Sequence, residues 1–146
     1  MILALALICA VMGAVFLFGC FIRVDSPAFI SRAGGDQTKI AKLRSLQEAW
    51  DRLGKARQFV VCCTGYLIMA AGLLLLWHEP GLAPYFWVVL AVYAIDLAVI
   101  LQIKRYAMSV LDQQSIGHTE VLGVINQHIM MSIAFSIIFT VLALRQ

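Results

Sequence analysis

Asp96 is the residue whose type and position first suggest chemistry. It lies near the middle of an otherwise apolar run at residues 85–103. A charge at the centre of a bilayer costs several kcal/mol, about 2.5–3.5 even on insertion scales, so this carboxyl needs a partner or a proton. Counting residues to the nearest charged edge supplies one. Asp96 stands eight before Lys104, and His128 stands eight after Glu120. At 1.5 Å rise per residue both lie about 12 Å deep on successive antiparallel helices. A buried Asp–His pair can hold or relay a proton, and a neutral imidazole can equally hydrogen-bond a protonated carboxyl as glue between helices.

The last apolar run adds further polar groups, with Asn126, Gln127 and His128 in its first third. His128, Ser132, Ser136 and Thr140 recur every four residues and so share one drifting helix face. Such a stripe either lines a hydrated path or lets helices approach and hydrogen-bond, and packing is the preferred reading. The candidate intramembrane polar or ion site is therefore Asp96, His128, Asn126 and Ser132.

Other chemistries find less support. Bis-His haem ligation needs two imidazoles at similar depth on facing helices. His78 and His118 fall outside the apolar runs, leaving His128 alone within one. His118 with Glu120, or His78 with Glu79, lacks the spacing of a zinc motif. Cys9, Cys20, Cys62 and Cys63 lie in apolar runs without CxxC spacing and read as small packing residues. No Walker loop, G-x-S-x-G or HExxH sequence is present. No catalytic residue, metal or cofactor is expected.

These residues must be positioned by membrane-crossing helices. Of 146 residues, 62% are hydrophobic and 13% charged, against roughly 45–50% and about 25% in soluble domains. The expectation is an all-α, polytopic four-helix transmembrane bundle in one domain, with spans at about 2–22, 59–77, 85–103 and 121–144. The first run has no basic segment before it and no small-residue cleavage site after it, so it is read as retained. Prolines and a glycine within 78–84 predict a tight reversal between the second and third spans.

Eight of the eleven Lys and Arg fall within 23–57, and Lys104 and Arg105 open the third connection. Basic loops stay cytoplasmic, which predicts both termini outside and 23–57 and 104–120 inside. An integral membrane protein, of a bacterial inner membrane, is expected. Within the first connection, Ile40, Leu43, Leu46, Trp50 and Leu53 recur at the helical period, opposite a charged face. Asp36 or Thr38 suits the start and Gly54 the end, giving an amphipathic helix over about 37–53. It is expected on cytoplasmic headgroups, or else on a partner subunit.

In length and topology the chain resembles the small four-span membrane-associated eicosanoid and glutathione proteins. Their Arg/Asn/Glu-bearing motif around the second span is absent, and no residue is carried over. The expected partners are the lipid bilayer and other membrane subunits or further copies of the chain, with no nucleic acid. The function expected first is a non-catalytic accessory or structural subunit. A small proton- or ion-coupled transporter or channel using Asp96 and His128 comes second, and a membrane enzyme acting on a lipophilic substrate third.

Overall fold

The computed structural model describes residues 1–78 and 83–145, and among these every regular element is helical. In order they are α1 (Ile2–Gly19), α2 (Pro27–Arg32), α3 (Gln37–Leu53), α4 (Lys55–His78), α5 (Ala83–Val110) and α6 (Ile116–Leu144). The reversal expected at 78–84 falls largely outside the described residues. Four helices, Ile2–Gly19, Lys55–His78, Tyr85–Val110 and Ile116–Leu144, are long and apolar enough to cross a membrane.

Helix boundaries follow local chemistry. The Asp36 carboxylate accepts from the backbone N–H of Thr38 at 3.0 Å and of Lys39 at 3.2 Å, satisfying donors that the first turn of α3 leaves free. Ser115 does the same for α6 through His118 N–H at 3.1 Å. Pro27 at the first position of α2 follows Ser26, a place where a missing N–H loses nothing. Gly54 alone separates α3 from α4, and its φ of +84° lies in a region that L side chains rarely adopt.

Several boundaries differ from the sequence expectation. Helix α1 stops at Gly19 instead of continuing to residue 22, and Phe21 and Ile22 close three-residue turns on Phe18 and Gly19. Helices α5 and α6 run past the apolar windows, so that residues 104–110 and 116–120 are helical. Nothing between Ile103 and Val110 breaks a helix, and bilayer thickness limits the apolar stretch without limiting the helix that contains it.

The helices α4, α5 and α6 pack on one another, α1 lies along α4, and α3 rests chiefly on α6. The α1–α4 seam is marked by Phe16 stacked on Tyr66 at 5.2 Å, with Tyr66 edge-on to Phe135 at 5.5 Å. From α3, Ala49 and Leu53 are buried against Val121 and Ile125 of α6 and Ile103 and Ala107 of α5. Leu46 and Trp50 flank them half-buried, and Lys42 reaches Glu120 at 2.8 Å. Much of the periodic stripe in α3 thus meets the chain's own helices.

Two buried glutamines complete that end of the molecule. Gln47 accepts from Val24 N–H at 2.9 Å and donates to Asp51 at 2.9 Å, while Gln58 donates to the Trp50 carbonyl. Lys55 Nζ donates to the Cys20 carbonyl at 2.7 Å, meeting an acceptor that the end of α1 leaves open. The outward surfaces of the long helices remain apolar, as Val11 and Val15 of α1, Ile95 of α5 and Ile137 of α6 show.

Candidate functional site

The buried apolar residues form two clusters along the bundle. One gathers Met69, Leu73, Tyr93 and Phe139, and the other Val61, Ile100, Val121 and Ile125. Asp96 sits between them, 7% exposed, with His128 at 3% and Ser132 at 2%. A polar layer therefore interrupts the core where α4, α5 and α6 meet.

The layer is built from three helices. Thr64 of α4 lies 2.6 Å from Asp96 Oδ1, and Ser132 of α6 donates to Asp96 Oδ2 at 3.0 Å. His128 Nε2 is 3.4 Å from the same Oδ2, longer than the 2.7–2.9 Å of a charged N–H···O pair. Four residues separate His128 from Ser132, so one face of α6 presents both. Room for the imidazole comes from Gly65, which adjoins Thr64 on α4. A Cβ there would stand 3.2 Å from His128 Cε1 and 2.8 Å from Met131 Cε.

Counting protons narrows what the cluster is. The Thr64 hydroxyl also lies 2.7 Å from the Val60 carbonyl, yet it owns one proton for two acceptors. The contacts are met when Thr64 shares its proton between Asp96 Oδ1 and the Val60 carbonyl, while Oδ2 accepts from Ser132 and from His128 Nε2–H. In that arrangement only His128 Nδ1 lacks a partner, and this atom is indeed buried and unbonded. Ionising both groups would instead leave an N–H of an imidazolium buried without an acceptor, a costlier orphan than a neutral lone pair.

Of the residues singled out in the sequence, Asp96, His128 and Ser132 come together, and Asn126 does not. Asn126 is exposed, because two residues along a helix is about 200° around it. Further along the stripe, Ser136 donates to Ile133 O and Thr140 to Ser136 O, each at 2.8 Å, which satisfies them within their own helix. Thr64 is the member that sequence reasoning missed. Only its depth was legible, since Thr64 lies seven residues after Arg57 and hence about 10 Å from that charged edge, close to the depth of Asp96.

Two shallow clefts flank the layer without reaching Asp96. One, of about 60 Å³, is lined by Phe16, Tyr66, Gln127 and His128, and the other, of about 240 Å³, by Tyr93, Leu97, Ser132 and Ser136. Among the described residues, no group of three or more His, Cys, Asp or Glu side chains is placed to hold a metal ion. The chain matches no family model, and comparison with curated proteins and with solved structures gave no match.

Proposed function

We propose that the protein is a non-catalytic structural or accessory subunit embedded in a membrane, in which the Asp96 layer ties three helices into one rigid unit. The observation that carries this reading is that both carboxyl oxygens of a buried aspartate are occupied by side chains of its own chain. A carboxyl so enclosed is turned toward its own helices, with neither oxygen left without a partner from the chain. In hydrocarbon, polar contacts of this kind serve helix association. The bundle would sit with α3 along the cytoplasmic face, in the orientation given by the basic connections, and would assemble with other subunits or with copies of itself.

Mild-detergent purification followed by native mass spectrometry tests this. The expected species is heavier than one 16.1 kDa chain, through either a second polypeptide or integral multiples. A lone chain that retains no partner would contradict assembly.

A second reading rests on one observation. His128 Nδ1 is buried and unpartnered, while its ring lines one cleft and Ser132 lines the other, with Asp96 between them. Protons passing from imidazole to carboxyl to hydroxyl would use that order. Liposome flux separates the two readings: transport requires proton movement in the parent that Asp96→Asn abolishes in a protein that still assembles. The structural reading expects no flux in the parent.

A further inference from the structure

Five acidic side chains at the Lys- and Arg-rich end are paired with cations. Arg23 pairs with Asp25 and Asp51, Lys39 with Asp36, Lys42 with Glu120 and Arg52 with Glu48. Among the described residues Arg57 has no carboxylate within pairing distance. Its guanidinium carbon stands 3.8 Å from the centre of the Tyr106 ring, and its one hydrogen bond goes from Nη1 to the Leu53 carbonyl at 3.2 Å. A planar cation stacked on an aromatic face is held in place while its remaining N–H groups stay available.

That guanidinium lies in a groove between α4 and α5, of about 410 Å³, shared with Val60, Val99, Gln102, Ile103 and Tyr106. The groove crosses the edge of the apolar runs. Arg57, Gln102 and Tyr106 supply polar groups, whereas Val60, Val99 and Ile103 lead along the bundle into its apolar length. A ligand matching this order of groups carries an anionic oxygen cluster at one end and a hydrocarbon chain at the other. Basic pockets between membrane helices hold lipid head groups in this way.

We propose that the Arg57 groove is a binding site for an anionic phospholipid, whose phosphate takes the free N–H groups of Arg57 and whose acyl chain lies along Val60 and Val99. Charge complementarity argues for the anionic class, because a guanidinium without a carboxylate partner favours a head group of net negative charge over one whose phosphate is already balanced by its own ammonium. The proposal rests on the membrane reading given above. It goes beyond that reading by assigning a ligand class to one site.

The experiment places the full chain in nanodiscs of phosphatidylcholine with and without phosphatidylglycerol, then releases it for native mass spectrometry and counts retained lipid. The parent should retain phosphatidylglycerol selectively. Arg57→Gln should lower that retention about tenfold, the loss expected for a charge-assisted hydrogen-bonded contact. Arg57→Lys, which keeps charge and loses the planar fork, should fall between, and Tyr106→Leu should weaken retention with the charge intact. Arg44→Gln removes an equal charge from exposed α3 and should change nothing. Equal loss in Arg57→Gln and Arg44→Gln would overturn the site in favour of diffuse attraction, as would full retention in Arg57→Gln. Displacement of the lipid by millimolar inorganic phosphate would assign the groove to a soluble anion instead. A chain that never enters the nanodisc overturns the membrane reading itself, which is a separate failure visible before any lipid is counted.

Discussion

Gly65 and His128 are in direct contact across the α4–α6 seam, with space at Gly65 that a single added carbon would remove. A Cβ at this position would lie 3.2 Å from Cε1 and 3.3 Å from Nε2 of the imidazole. Helix separation and ring position are thus set by the same missing atom.

Gly65→Ala should therefore push His128 away from Asp96 or part the two helices. Overpacking a tight interior typically costs about 1–3 kcal/mol. Thermal unfolding in detergent should show a loss in that range, and His128→Ala in the same background should recover part of it. A neutral Gly65→Ala would mean that the seam is looser than its geometry.

Gly117 makes the corresponding contact for α3. A Cβ there would collide with the Ser45 carbonyl and stand 2.9 Å from Ala49 Cβ, at the point where Gly117 N–H donates to Ser45 Oγ at 3.1 Å. The obstructing atom is backbone and cannot swing aside. Gly117→Ala should release α3 from α6 and leave the long helices in place. Amide hydrogen exchange would then rise across 40–53 with little change in α4. Unchanged protection in α3 would contradict the docked position.

Side-specific labelling examines the orientation. With both termini outside, an impermeant thiol reagent added outside should react with a cysteine introduced near Ala83 and spare one near Lys42, in a variant without the four native cysteines. The reverse pattern would invert the bundle.

The four long helices were legible because an uninterrupted apolar run fixes both length and environment in one signal. Depth was legible too, since residue counts from a charged edge convert directly into ångströms. Azimuth was not. Asn126 shared the depth of His128 but points away, and Thr64 carried no mark to distinguish it from hydroxyls that only bond their own helix. The placement of α3 was also hidden. Its stripe of Ile40, Leu46 and Leu53 shows that one face is buried, while the choice among headgroups, a partner and the chain's own α6 depends on Gly117, which lies 64 residues beyond Leu53 in the sequence.

The central claim is that the Asp96 layer is an internal tie within one chain, and a double-mutant cycle on its shortest contact tests that most directly. Thr64→Val, Asp96→Leu and the double variant would be compared for thermal stability in mild detergent. Each single change already removes the Thr64–Asp96 contact, so the second costs less once the first is made and the pair should be less damaging together than the sum of its parts. Interhelical polar contacts in membranes average about 0.6 kcal/mol and reach about 1.7, and the 2.6 Å contact should fall in the upper half of that range. Coupling of about 1 kcal/mol is the expected result, and strictly additive losses would contradict the tie.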